Sequence, residues 1–269
     1  MELPVLDEKE VLFILEKFLQ DKLKASALTG YVIGISGGID SALSAAIAVR
    51  AVGREKVLCI MMPYSDSSSN SLDDAIKLIE WLGVKDTTID ISPMINAYFK
   101  EGTSIEPVRK GNKMARERMS ILFDKAYELK RLVLGTSNRT EICLGYGTWY
   151  GDVASSVNPI GSLYKTQVRQ MAKYCGVPDS IINKIPTADL WPGQTDEGEL
   201  GLEYARVDRL LYMVIELGIT DRKKLNEVGF ENAFIDRAVS LVAYYHFKRH
   251  LPQIPDLGLK PIPDEISIV

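Results

Sequence analysis

Residues 36–41, Ser-Gly-Gly-Ile-Asp-Ser, join a β-branched run, "YVIGI" (31–35), directly to a stretch of small residues, "ALSAAIAV" (42–49). Two adjacent glycines after a buried strand allow positive φ and bring the backbone close to a ligand. A helix starting there points free N–H groups and the positive end of its dipole at whatever occupies the loop. Ser36 and Ser41 add hydroxyl donors. Asp40 is the odd member, because a carboxylate facing a phosphate is tolerable with a cation between them, and Mg²⁺ is the usual one. The spacing is neither the Walker pattern, since no Gly-Lys-Ser/Thr follows, nor the dinucleotide fingerprint. On these residues alone, a tight strand-to-helix turn capped by Ser36 or Asp40 is the alternative.

Other groups could also do chemistry. "RKGNKMARERM" (109–119) carries five basic residues in eleven. Arg116 and Arg118 stand two apart, so on a helix they face different directions. At most one is expected to reach a ligand, the other serving structure or a dimer partner; a solvated basic face explains the charges equally well. Trp149 and Trp191 lie in glycine-rich loops, where each either stacks on a ring or anchors its loop. His246 and His250 fall four apart on an expected helix, a metal-compatible spacing with no third ligand in view. The three cysteines, Cys59, Cys143 and Cys175, show no close pairing and read as buried small hydrophobes in a reducing compartment, the cytoplasm by default. No Ser-His-Asp or Cys-His nucleophile arrangement is evident.

These groups need a frame to hold them. "LDEKEVLFILEKFLQDKLK" has Asp7 and Glu10 in capping-box spacing, then Leu12, Leu15, Phe18 and Leu19 at helical intervals. Helices are also expected over 40–52, 71–83 and 112–130. "YVIGI", "KVLCIMMP" (56–63), "TTIDI" (87–91) and "RLVLGT" (131–136) read as strands, the apolar ones buried on both faces. Strands alternating with helices imply an α/β fold, a doubly wound, open parallel sheet flanked by helices. The loops starting at Ser36, Pro63 and Thr136 then share the rim at the carboxyl ends of the strands, where such sheets bind ligands. Beyond residue 165 mostly helices are expected, packing around the same core. With 269 residues, 46% hydrophobic and 25% charged, the chain reads as a single domain, 1–269. A net charge of −4 gives no basic field for nucleic acid or an anionic membrane. No run approaches membrane-span length, and the N-terminus lacks a signal pattern.

"SGGIDS" resembles the pyrophosphate loop of ATP pyrophosphatases, which split ATP between the α and β phosphates and adenylate an acceptor. "MPYSDSSSNSLDDA" (62–75), "GNKMARERM" (111–119), "GTSNRTEICLGYGT" (135–148), "YGDVASSVNPIGSLYKTQVR" (150–169), "PTADLWPGQTDEGELG" (186–201) and "FKRHLPQIP" (247–255) narrow the match. Together they are similar to the ammonia-dependent NAD synthetase family over nearly the whole chain. The resemblance implies an adenine nucleotide α-hydrolase-like fold and a homodimer with its dinucleotide site at the subunit interface. It implies ATP-dependent amidation of nicotinic acid adenine dinucleotide by ammonia to NAD through an acyl-adenylate, releasing AMP and pyrophosphate. Asp40, Glu141 and Lys165 would be catalytic, with Asp40 and Glu141 holding Mg²⁺. Gly34, Ile35, Ser36, Gly37, Gly38, Ile39, Asp40 and Ser41, with Thr136, Lys165 and Thr187, would bind ATP. Arg116, Arg118, Trp149, Ser156 and Lys248 would meet the acyl substrate. Read without the family, Glu141 is an acid near a helix N-cap and Lys165 a surface lysine. No glutaminase segment is expected, so ammonia would be free or supplied by a separate chain.

The chain departs from the family at three places. The family's Thr-Lys-Tyr-Gly-Asp is "TWYGD" here, with Trp149 for lysine; Ser156 in "ASSVNP" replaces an aspartate; and "FKR" puts Phe247 where a histidine is usual. All three belong to the dinucleotide set, while the ATP set is intact. Besides NAD synthesis, the residues therefore leave room for an adenylating amide ligase with another carboxylate, and for a non-catalytic ATP-binding module.

Overall fold

The computed structural model describes residues 2–65, 69–99, 104–187, 190–191, 193–255 and 257. The stretches quoted at 62–75 and 186–201 thus fall partly outside the described residues. Helix α1 (Glu8–Ser26) starts on Asp7, whose carboxylate accepts from the Glu10 N–H at 3.0 Å, and it buries Leu12, Leu15, Leu19 and Leu23. Strand β1 (Tyr31–Gly34) feeds α2 (Ile39–Val52), a helix buried nearly all round. That burial accounts for its alanines, whose small side chains let α1 and the sheet approach it closely. Then follow β2 (Val57–Met61), α3 (Ser69–Leu82), β3 (Lys85–Thr88), α4 (Ser92–Tyr98), α5 (Pro107–Leu129) and β4 (Leu132–Val133).

All pairings are parallel, in the order β3-β2-β1-β4. The chain steps outward from β1 to β3 and then returns to lay β4 on the other side of β1. The direction of winding changes between β1 and β4, so the crevice at their carboxyl ends is the place for a ligand. The side chains of β1 alternate as a pleat requires: Tyr31 and Ile33 join the apolar cluster built with α1 and α2, whereas Val32 joins the one built with α4 and α5. The doubly wound α/β sheet is therefore present as expected.

Element boundaries differ in instructive ways. Helix α5 begins at Pro107 rather than residue 112, because a proline at the first helical position gives up only an N–H that has no helical partner anyway. The ladder of β4 covers only Leu132–Val133. Beyond it the chain exchanges bonds with a later segment: Leu134 bridges Val157, and the N–H of Ser156 donates to the Val133 carbonyl at 2.9 Å.

The second half contains α6 (Arg139–Leu144), α7 (Lys165–Tyr174), α8 (Asp179–Ile182), α9 (Asp196–Leu200), α10 (Tyr204–Leu211), α11 (Arg222–Glu227) and α12 (Asn232–Tyr244). Helices α7 and α8 join the core beneath the sheet through Val168, Met171, Ala172 and Ile181. The helices from α10 onward do not extend that core as expected. Val207, Leu210, Leu225, Ile235 and Leu241 instead gather with Leu144 and Tyr164 into a separate apolar cluster. Helix α12 ends at Tyr244 and a 3₁₀ turn covers His246–Arg249, so the helical register that would pair His246 with His250 is absent. Cys59 is buried, but Cys143 and Cys175 are only half-buried. Among the described residues, no helix is long and apolar enough to cross a membrane.

Candidate active site

A cavity of about 730 Å³ opens at the carboxyl ends of β1, β2 and β4, and the loops beginning at Ser36, Pro63 and Thr136 all line it. The first loop is shaped by its glycines. Gly37 has φ +75°, and a Cβ there would lie 2.2 Å from the Ser71 carbonyl oxygen on α3. Gly37 thus makes the turn, while Gly34, Ile35, Ser36, Gly38, Ile39, Asp40 and Ser41 face the cavity. Gly38 is the N-cap of α2, with extended backbone and no side chain capping the helix. The capping by Ser36 or Asp40 that the alternative reading requires does not occur, which leaves the helix's first N–H groups available to an anion. Ser36 and Ser41 hold the loop instead. Their hydroxyl oxygens are 3.3 Å apart, and Ser41 Oγ donates to the Gly38 carbonyl at 3.0 Å.

Three ionisable groups meet beside this loop. Lys165, the first residue of α7 and only 2% exposed, places Nζ 2.5 Å from Asp40 Oδ2 and 3.3 Å from Glu141 Oε1. It is not a surface lysine. Asp40 Oδ1 also accepts from Asn138 Nδ2 at 2.9 Å. Asn138 caps α6 in a reciprocal box with Glu141, whose Oε2 accepts from the Asn138 N–H. Glu141 is thus the acid at a helix start that the sequence allowed: one oxygen secures the N-terminus of α6 and the other faces the lysine. Burial opposes the charge on Lys165, but Asp40 and Glu141 outweigh it and raise its pKa, so it stays a cation. Burial and then Asp40 push Glu141 up.

Among the described residues, no group of three or more His, Cys, Asp or Glu is arranged to hold a metal. Two hard carboxylates nonetheless fit Mg²⁺, which takes one or two carboxylates and fills its remaining positions with phosphate oxygens and water.

Thr136, Thr187, Arg116, Arg118, Trp149, Trp191 and Lys248 also line the cavity. Both arginines therefore reach its wall, although two positions apart on a helix they leave it in different directions. Their side chains are long and their guanidinium groups turn to different carbonyls: Arg116 Nε donates to Trp149 at 3.1 Å and Arg118 Nε to Met62 at 2.9 Å. Lys248 Nζ donates to the carbonyls of Gly145 and Gly147, at 2.7 Å each. Trp149 contacts Phe247, which lines the cavity as well. Among the residues expected to meet the acyl substrate, Ser156 is the one that does not line the cavity. Its hydroxyl accepts from the Val133 N–H at 3.1 Å, completing the sheet edge.

Several site residues escaped sequence reasoning. Asn138 could have been found, because Asn-x-x-Glu is a capping-box spacing. Asp196 could not. It is 4% exposed and accepts from the hydroxyls of Tyr146 at 3.1 Å and Tyr204 at 3.2 Å, contacts that only the fold creates. Lys184 bonds Ser71 and Asp74 of α3 from the cavity wall, tying the segment before Thr187 to the helix behind the glycine loop.

A family model described as NAD synthase matches residues 11–252. The NH₃-dependent NAD⁺ synthetase of Trichlorobacter lovleyi is 48% identical over 257 residues, which is 96% of this chain and 94% of that protein. The solved NMN synthetase of Francisella tularensis superposes with a TM-score of 0.82 at 33% identity, covering 94% of this chain and 100% of its own. An NH₃-dependent NAD synthetase from Campylobacter jejuni, in complex with a nitrate ion, gives 0.79 at 33% identity, with coverages of 93% and 100%.

Proposed function

Because the chain belongs to the NAD synthase family, we propose that this cavity amidates nicotinic acid adenine dinucleotide with ammonia, at the expense of ATP, to give NAD. The observation that carries this reading is the meeting of Lys165 with Asp40 and Glu141 beside the uncapped N-terminus of α2. A carboxylate is a poor acyl donor and must become a mixed anhydride before an amine can displace anything from it. Its oxygen attacks the α-phosphorus of ATP, and pyrophosphate leaves with the electrons of the α–β bridge. The N–H groups of the glycine loop and the Lys165 ammonium meet the charge that grows on that leaving group. Mg²⁺ on Asp40 and Glu141 would neutralise phosphate charge in the same place. The lone pair of ammonia then adds to the acyl carbon, AMP departs, and a proton is released.

Thr136 and Thr187 complete the ATP wall in this reading. Arg116, Arg118, Trp149 and Lys248 serve the acyl substrate, since all line the same cavity. We take the chain as one catalytic domain working as a homodimer, with ammonia free or delivered by another chain. We place the reaction in the cytoplasm, where ATP is supplied.

A second reading has a specific observation behind it. Trp149 and Phe247 replace polar residues of the dinucleotide set and touch each other, and the Francisella structure is of an NMN synthetase. The acyl substrate could then be the mononucleotide, with the same adenylation. Incubation with ATP, Mg²⁺ and ammonium, with either the dinucleotide or the mononucleotide acid, separates the two by which amide forms. NAD formation that Asp40→Asn abolishes supports the first reading. Amide from the mononucleotide alone replaces it with the second, and neither amide removes both.

A further inference from the structure

Asp208 lies on α10 with 0% of its surface exposed, and no lysine or arginine bonds its carboxylate among the described contacts. Such a group is costly to bury unless its hydrogen bonds are well made. Here they are. Oδ1 accepts from the Thr140 hydroxyl at 2.5 Å, and Oδ2 accepts from both the N–H and the hydroxyl of Thr166 at 2.8 Å each. Thr140 in turn accepts from the backbone N–H of Lys165 at 3.0 Å.

The partners are placed tellingly. Thr140 precedes Glu141, and Thr166 follows Lys165. One carboxylate therefore holds the side chain next to Glu141 and, directly and through Thr140, the backbone N–H groups of Thr166 and Lys165, across the junction of α6 and α7. Helix α10 contributes twice, for the Lys165 ammonium also stands 5.1 Å from the ring centre of Tyr204, one turn before Asp208.

We infer that Asp208 is a positioning residue for the reaction: through Thr140 and Thr166 it holds Lys165 and Glu141 in the geometry that receives the ATP phosphates. This rests on the proposed role of those two residues. It also gives the C-terminal helices a task beyond packing, since the clamp comes from the cluster they build. A misplacement of about 1 Å at a reacting group can cost on the order of 100-fold in rate.

The test uses Asp208→Asn, Thr140→Val and Thr140→Ser. The asparagine keeps the shape but presents an NH₂ where an oxygen accepts. The valine removes the hydroxyl relay, and the serine restores it. With the parent forming NAD, Asp208→Asn and Thr140→Val should each lower kcat at least about 10-fold with KM for ATP within about threefold, while Thr140→Ser stays within about twofold. The Asp208→Asn, Thr140→Val double variant should be no slower than the slower single, because the two act as one unit. Amide hydrogen exchange at Lys165 and Thr166 should accelerate in Asp208→Asn while the α2 amides keep their protection. If Asp208→Asn does not fold, the Thr140 pair decides. The inference falls if either disabling variant is folded with kcat within about twofold of the parent, if Thr140→Ser fails together with Thr140→Val, or if exchange at Lys165 and Thr166 is unchanged. A parent that forms no amide removes the proposed reaction instead, and the exchange measurement still decides whether the clamp exists.

Discussion

Trp149 packs edge-to-face against Phe247, with ring centroids 5.1 Å apart and planes at 76°. These are two of the three positions at which the chain departs from the family pattern, and they lie far apart in sequence. Trp149 also stacks on Tyr150, with centroids 4.5 Å apart. An aromatic pair of this kind adds about 0.5–1.5 kcal/mol beyond its buried area. The replacements are thus one structural unit, an aromatic wall where a lysine and a histidine are expected.

If that wall grips the acyl substrate, its two members should be coupled. Trp149→Lys alone sets an ammonium against the Phe247 ring without the imidazole partner expected of the family. It should raise KM for the acyl substrate about 10-fold while leaving KM for ATP within about twofold. Trp149→Lys with Phe247→His should cost less than the product of the single changes, by a coupling energy on the order of 1 kcal/mol. Steady-state kinetics of the four proteins supply the cycle. Strict additivity would show that the contact is incidental.

Gly37 offers a test of the loop itself. Its φ of +75° is unfavourable for any side chain, and an added Cβ would press on a backbone oxygen, which cannot move as a flexible side chain would. Gly37→Ala should cost about 2 kcal/mol or more in stability and raise KM for ATP. Denaturant unfolding checks the first and kinetics the second. Gly38→Ala is milder, since Gly38 has negative φ and only the Ser36 hydroxyl nearby, 3.2 Å from the added carbon. An equal loss at both positions would mean that the turn geometry is not the constraint.

What the sequence made legible follows from the range of the interactions involved. The strands, α2 and the glycine loop rest on local patterns, and the structure has them within a few residues of expectation. Asp40, Glu141 and Lys165 were found through motifs, but nothing local says that Lys165 is buried between two carboxylates. Nothing local says that the Ser156 hydroxyl closes a sheet edge, because only tertiary pairing creates that edge. Arg116 and Arg118 both line the cavity because Cβ direction limits a short side chain far more than a long one. Asp196 and Asp208 were invisible for one reason: each draws its meaning from partners on other elements, far off in sequence or brought near only by the fold.

The buried carboxyl of Asp208 also makes a prediction about pH. Burial raises its pKa above the ordinary aspartate value of 3.8, despite hydrogen bonds from Thr140 and Thr166 that pull the other way. A raised folded pKa means that the folded protein binds the proton more tightly than the unfolded chain. The stability this contributes is fully present below 3.8 and is lost as pH rises through the higher folded value. Asparagine has no proton to lose. The stability deficit of Asp208→Asn against the parent should therefore shrink as pH rises from about 4 to about 7. Urea unfolding of both proteins across that range measures it, and a deficit that grows with pH would contradict the burial of this charge.

The last prediction concerns the cation. Asp40 and Glu141 bring two carboxylates to one lysine where the triphosphate must enter, and burial with Asp40 raises the pKa of Glu141, so a cation there favours its ionised form. At an effective dielectric of about 20, like charges about 4 Å apart repel by roughly 4 kcal/mol, so ATP requires a divalent ion there. Treatment with EDTA should abolish amide formation, and Mg²⁺ should restore it. Glu141→Gln should raise the Mg²⁺ concentration needed for half-maximal rate about 10-fold or more, because it removes one anionic ligand. Lys165→Met should behave differently. It leaves both metal carboxylates in place, so its loss should fall on kcat, by about 100-fold, with little change in the Mg²⁺ requirement. Rate titrations with Mg²⁺ on the three proteins distinguish the roles. A Glu141→Gln enzyme with the parent's Mg²⁺ dependence would remove Glu141 from the metal and leave it as the cap of α6.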